Sequence, residues 1–223
     1  MSQLEDQLES LSSSVVEMGS LTVSMLCQAI DAVEKADVDA TQPVFEAEKA
    51  LDQLQLEIDK EAIRIMTVFS PVAGDLRLVL SVSRITAELE RIGDHATNLC
   101  ECLQLMTSRT DARPILEVIK MGGIVKEMVR NSLAAFGRKD SSLALLTIAN
   151  DDMVDALNDL IVKKLLQDDI VREVIIAQKN IAGSLAQILI ASSLERIADQ
   201  ATNICEEVVY MVKGSDIRHT TAR

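Results

Sequence analysis

One acidic segment occurs twice in this chain of 223 residues: ERIGDHATNLCE at Glu90–Glu101 and ERIADQATNICE at Glu195–Glu206, 105 positions apart. Fainter echoes surround it. EMGSL at Glu17–Leu21 resembles KMGGI at Lys120–Ile124, Asp37 matches Asp140, and EKALD at Glu48–Asp52 matches DDMVD at Asp151–Asp155, all at an offset of 103. Two residues inserted between the two sets reconcile the offsets. A unit of about a hundred residues is too long for a stacked solenoid repeat and matches a small domain. Any fold taken by one half must therefore suit the other. The chain reads as a duplicated domain, residues 1–108 and 109–223, with the boundary in TSRTDAR at 107–113.

Each half carries three helical patterns, over 4–36, 40–68 and 72–107, then 114–138, 142–167 and 171–213. The short polar breaks KADVDATQP and GRKDSS suit antiparallel neighbours. Ser70 followed by Pro71 reads as a helix start, Ser accepting from orphan backbone N–H groups and Pro having none to lose. Asp140-Ser141 reads as a cap for the fifth helix. No stretch alternates apolar and polar residues between turn signals as a strand would. Aromatics make up 2% and Trp is absent. The core must then be aliphatic residues and Met, which favours helix-on-helix packing over a sandwich. The expectation is an all-α protein of two tandem, sequence-related three-helix bundles. VIIAQKNIAGSLAQILIASSL is broken by Lys179, Asn180 and Gln187, which argues for a buried helix rather than a membrane span. The closing GSDIRHTTAR reads as a frayed end.

A formal charge of −13 disfavours nucleic acid and anionic lipid, and no Lys/Arg cluster offers a basic groove. Cys27, Cys100, Cys102 and Cys205 form no CxxC pair. Cys100 and Cys102 diverge by about 200° on a helix. They are expected to be reduced thiols in a cytoplasmic protein, not a zinc site. The polar start MSQLEDQLESLSSS lacks a signal-peptide pattern.

In the first copy of the repeated segment, Ile85, Leu89, Ile92, Ala96, Leu99 and Leu103 step by four and three, forming one apolar seam. Glu90, Asp94, Asn98 and Glu101 fall about 140–220° from it. In the second copy, Ile190, Leu194, Ile197, Ala201, Ile204 and Val208 make the seam, and Glu195, Asp199, Asn203 and Glu206 the outer row. A solvated face is the plain reading of such a row. Three observations press beyond it. Carboxylates at i and i+4 repel by a few tenths of a kcal/mol, which interspersed Lys would avoid. The row recurs with its Asn in place. Each preceding helix adds another pair, Glu48 with Asp52 and Asp151 with Asp155, flanking its own seam by about 90°. Four carboxylates per bundle would then converge, and converging carboxylates call for protons or cations. Oxygen-only ligands suit hard ions such as Mg, Mn, Ca or ferric iron. His95, replaced by Gln200 in the other half, is read as an exposed helix residue. Gly93, replaced by Ala198, costs about 1 kcal/mol against Ala within a helix and is read as a close-packing position.

PVAGDLR at Pro71–Arg77, ELERIGDHATNLCE at Glu88–Glu101, LERIADQATNICE at Leu194–Glu206 and the duplicated acidic pairs resemble the PhoU family of phosphate transport regulators, from about Leu11 to Met211. The resemblance implies two similar three-helix bundles with multinuclear metal clusters held by E/DxxxD pairs. Carried over, one cluster would use Glu48, Asp52, Glu90 and Asp94, the other Asp151, Asp155, Glu195 and Asp199. Asn98, Glu101, Asn203 and Glu206 would extend the rows as further ligands. The metal would be iron, manganese, magnesium or zinc. The resemblance also implies an accessory, negative regulatory role in phosphate uptake and phosphate-starvation signalling. Such a protein would link the ATPase of a phosphate ABC transporter to a sensor histidine kinase, peripheral to membrane complexes. The second half departs from the family pattern: Ala198 and Gln200 stand where Gly and His are frequent, and DDIVREVIIAQ replaces a PVAGDLR equivalent. Asp75 and Arg77 also read simply as first-turn residues of a helix.

An enzyme is the competing class. Di-iron sites in helical bundles use inward-facing Glu with Glu-x-x-His. That motif is missing here, as are a nucleophile–base arrangement, a phosphate loop and a Rossmann turn. No catalytic residue is therefore expected. A metal-binding adaptor for another partner, or a structural adaptor whose acids only solubilise, remain as alternatives. Exposed helix faces leave room for a homodimer, although no surplus apolar stripe demands one.

Overall fold

The computed structural model describes residues 2–109, 113–173 and 181–218, and all of their side chains except those at 109, 167–173 and 181. Seven α-helices and no strand occur among these residues: α1 (Gln3–Lys35), α2 (Gln42–Phe69), α3 (Ala73–Arg109), α4 (Leu116–Arg138), α5 (Ser141–Ile148), α6 (Asp151–Glu173) and α7 (Ile181–Lys213). A 3-10 turn at Asp39–Thr41 leads into α2. The first three helices form one bundle and the rest a second. The two share a continuous core through α3 against α7 and α1 against α4. That core is aliphatic, with Met18, Met25, Met121 and Met128 fully buried, and Phe136 is its one buried aromatic.

The duplication is visible atom by atom. Ala36 and Lys139 end α1 and α4, both left-handed at φ 52°. Immediately after each, an Asp takes over the exposed N–H groups of the next turn. Asp37 Oδ1 accepts from the N–H of Asp39 and Ala40 at 3.1 and 3.3 Å. Asp140 Oδ1 accepts from Ser142 and Leu143 at 2.9 and 3.0 Å, the cap expected from sequence. The Met-Gly echo has a packing cause. A Cβ on Gly19 would come within 2.5 Å of Leu133 Cδ2 on α4, and one on Gly122 within 2.8 Å of Ile30 Cγ2 on α1. Gly19 and Gly122 are repeat partners, and so are Ile30 and Leu133. Antiparallel α1 and α4 thus touch reciprocally, as an approximate two-fold requires. Helices α3 and α7 are antiparallel as well, since Ser81 and Arg84 near the start of one bond Glu207 near the end of the other.

Four expectations need correction. The fifth helix is not continuous over 142–167: α5 stops at Ile148, and α6 begins at Asp151. Asn150 donates its N–H to Thr147 O at 3.0 Å, and its own carbonyl receives the N–H of Met153 at 3.1 Å. Asn and Asp compete for backbone groups and favour helix starts, and Asp151 and Asp152 sit at the positive end of α6. The repeat partners of this stretch in α2 are Glu46-Ala47-Glu48-Lys49, good helix formers, and α2 runs straight through. Secondly, Ser70 does not start α3. It ends α2 in the left-handed region at φ 46°, donating its N–H to Met66 O. A residue before proline is pushed out of the helical region, and α3 starts only at Ala73. Thirdly, 171–173 belong to α6, while 174–180 of the expected sixth helix lie outside the described residues. Finally, the tail is docked through residue 218: Ile217 packs on the core and Arg218 bonds Asp216 and Glu207. Residues 219–223 lie outside the description. Among the described residues no helix is long and apolar enough to cross a membrane.

Candidate metal centre

The two seams are placed as read. Ile85, Leu89, Ile92, Ala96, Leu99 and Leu103 are buried, as are their counterparts from Ile190 to Val208. The acidic rows are not wholly outside. Asp94, Glu101 and Asn203 are exposed, whereas Glu90, Asn98, Glu195, Asp199 and Glu206 are half-buried. Glu48 and Asp151 are half-buried, and Asp52 and Asp155 exposed.

A glycine brings α2 onto α3. A Cβ on Gly93 would lie 2.2 Å from Leu51 Cδ2, so the bare backbone lets Leu51 seat against the motif. Leu51 stands between Glu48 and Asp52, and its approach carries Asp52 to Glu90. In the second half the pair at these positions is Ala198 with Val154, both buried. A methyl gained on α7 is matched by a smaller residue on α6, so the volume of the pair is nearly conserved. The close-packing reading of Gly93 holds.

Electrostatics show which carboxylates meet. Glu90 is held above the usual carboxylate range, first by burial, then by the charges of Asp94 and Asp52, with Arg91 opposing. Glu195 is raised in the same way, by burial and then by Asp155, Asp199 and Asp159, with Arg196 opposing. Each glutamate therefore faces a carboxylate of its own helix and at least one from the helix packed against it. Glu48 and Asp151 do not figure among these charges. Two participants escaped the sequence reading. Asp159 continues Asp151 and Asp155 by another four residues, a signal present in DDMVDALND; its first-half partner is Leu56. Asn158 Nδ2 donates to Glu195 Oε2 at 2.7 Å. The two sites are thus unequal, the second holding one more acid and an amide.

His95 is half-buried rather than exposed. Antiparallel α7 crosses α3 there, and its protonation is depressed by burial and then by Arg196, against the pull of Asp94. Its Nδ1 lies 3.4 Å from Asn98 Nδ2. The four cysteines are free, and burial drives the Cys100 and Cys205 thiols to about 12, leaving them inert at neutral pH.

The donor set is all oxygen and its like charges are crowded, a chemistry that a hard cation relieves. Among the described residues, no three His, Cys, Asp or Glu side chains are gathered as a ready-made ligand set. The residues fit a hard cation by type and charge, with Asp52, Asp94 and Asp155 exposed beside the half-buried Glu90 and Glu195.

Both halves match the same family model, described as PhoU domain, over residues 15–103 and 118–208. The chain belongs to the PhoU family. Both acidic rows and both preceding pairs fall inside the matched PhoU segments. A Pseudomonas putida relative named phosphate-specific transport system accessory protein PhoU homolog is 36% identical, over 97% of this chain and 83% of its own. The Escherichia coli K12 protein named phosphate-specific transport system accessory protein PhoU is 33% identical, over 97% of this chain and 88% of its own. The crystal structure of PhoU from Pseudomonas aeruginosa is similar at a TM-score of 0.89 and 34% identity, covering 96% of this chain and all of that one (100%). That of the phosphate transport system regulatory protein PhoU from Streptococcus pneumoniae reaches 0.86 at 25% identity, over 96% of this chain and 99% of that one. Of the departures in the second PhoU domain, Ala198 and Gln200 are buried, so these two lie in packing and leave the acidic positions in place; 174–178 of DDIVREVIIAQ and all of its side chains lie outside the description.

Proposed function

We propose that this chain is a cytoplasmic accessory protein and negative regulator of a phosphate-specific transport system, joining the ATPase of a phosphate ABC transporter to a sensor histidine kinase. The observation that carries this reading is the match of both halves to one family whose relatives bear the accessory-protein name. The acidic rows are its working surface, binding iron, manganese, magnesium or zinc at Glu90, Asp94 and Asp52 in one half and at Glu195, Asp199 and Asp155 in the other. Glu48 and Asp151, with Asn98, Glu101, Asn203 and Glu206, stand further along the same helices as supporting ligands. A bound cation supplies positive charge able to bridge phosphate or a partner's carboxylates. Crowding of like charge around Glu90 and Glu195 supports this reading.

Two measurements test it. Loss of the gene should raise a phosphate-starvation reporter in phosphate-replete cells; unchanged expression rules out the regulatory role. Metal retained after mild purification should fall severalfold in an Asp94→Asn/Asp199→Asn variant. Equal content in both proteins removes the cluster assignment.

A further inference from the structure

A groove of about 650 Å³ opens where the N-terminal ends of α1 and α3 meet the C-terminal ends of α4 and α7. Its floor is apolar, built from Leu8, Leu78, Phe136 and Met211, and Val16 stands 43% exposed at the wall. The rim is acidic: Glu5, Glu9 and Asp75 face one base, Lys139. The hydroxyls of Ser12 and Ser13 donate to carbonyls of their own helix at 2.8 and 2.9 Å, so neither is aimed at a small polar ligand. Gly137 keeps the groove open, since a Cβ there would meet only Val16 Cγ2, at 3.8 Å. At the opposite end of the molecule, the repeat partners of Val16, Phe136 and Gly137 are Ile119, Val33 and Glu34. Those three line a void of only about 10 Å³.

We propose that this groove receives a cationic amphipathic helix of a partner protein. It follows α1 from Glu5 to Val16, about 16 Å or three turns, which is room for anchors at i, i+4 and i+7. An apolar floor under an acidic rim, on a chain of charge −13, selects Leu-type anchors flanked by Lys or Arg. Its nearest lining residues, Leu78 on α3 and Met211 on α7, stand about 18 Å along their helices from Glu90 and Asp199, so the groove lies apart from those carboxylates and does not depend on metal there; only Glu206, at the end of the second row, comes within about 8 Å of Met211. It also gives PVAGDLR a task, because Asp75 of that motif forms part of the rim.

Fluorescence anisotropy of the full chain tests the proposal, using a labelled helix of about 15 residues with Leu at i, i+4 and i+7 flanked by Lys, and a second peptide with Glu in place of Lys. The wild type should bind the Lys peptide and not the Glu peptide. Gly137→Leu, which fills the groove, should weaken binding by about tenfold or more. Glu9→Lys/Asp75→Lys should reverse the preference between peptides. The remote Glu46→Lys/Glu57→Lys variant, with the same charge change on α2, should stay within about twofold. Circular dichroism confirms folding, and if Gly137→Leu unfolds, Val16→Lys takes its place with the same expected loss. No binding by the wild type, or equal losses for rim and remote variants, overturns the proposal. So does sedimentation showing a dimer that Gly137→Leu dissociates and the peptide does not, since the occupant would then be a second copy.

Discussion

Glu207 shows how one residue can break the symmetry of a duplicated fold. It is 4% exposed and accepts from Ser81 Oγ at 3.1 Å and from the guanidinium groups of Arg84 and Arg218 at 3.1 and 3.3 Å. Its first-half partner is Cys102, so only one end of the α3–α7 contact has this clasp. Replacing it by Ala strands no buried charge, because both arginines are substantially exposed and can turn to water. The expected cost is about 2 kcal/mol, below the usual cost of breaking a buried pair, read as a shift in urea midpoint. Glu90 and Glu195 act in the opposite sense. Their native pKa values are raised, so their contribution to stability is present below the ordinary carboxylate range and is lost as pH rises through the elevated values. The metal-free protein should therefore become less stable from mildly acid to neutral pH. A Glu90→Gln/Glu195→Gln variant should flatten that part of the profile and melt higher than the wild type at pH about 7 in chelator.

For the elements, the important distances are those of helix approach. Gly93 lies under Leu51 with no room for a methyl group. Gly93→Ala gains about 1 kcal/mol of helix propensity and meets an overpacking cost of about 1–3 kcal/mol. The expected net effect is a destabilisation that Leu51→Val repairs, because that pair imitates Ala198 with Val154. A thermal-melt double-mutant cycle measures the coupling; additive effects would mean that the two sites do not share the space. The break between α5 and α6 acts at the same scale. It turns Asp151 from a mid-helix residue into a first-turn residue, where the helix dipole favours its charge.

At the scale of the whole molecule, the two bundles share α3 against α7 and α1 against α4, and a single core runs through both. Part of the apolar surface of each half is therefore covered by the other. Urea unfolding followed by circular dichroism and by a fluorophore on Cys27 should therefore give one coincident transition. Two separated transitions would show that the bundles fold as independent units.

The helical class, the duplication, both apolar seams and the residues of the acidic rows are legible in the chain alone. Those features are carried by periodicity and repetition, which act along the chain and need no partner. Even the Asp37 and Asp140 caps are local. The remaining features depend on which helix packs on which. Burial of His95 and Glu207 comes from the antiparallel crossing of α3 and α7, which brings together residues as far apart in the chain as Ser81 and Glu207. The addition of Asp159 and Asn158 to the second acidic site comes from α6 settling on α7. The groove, too, exists only because the N-terminal ends of α1 and α3 are brought against the C-terminal ends of α4 and α7, segments that are distant in the chain and whose shared surface no local pattern encodes.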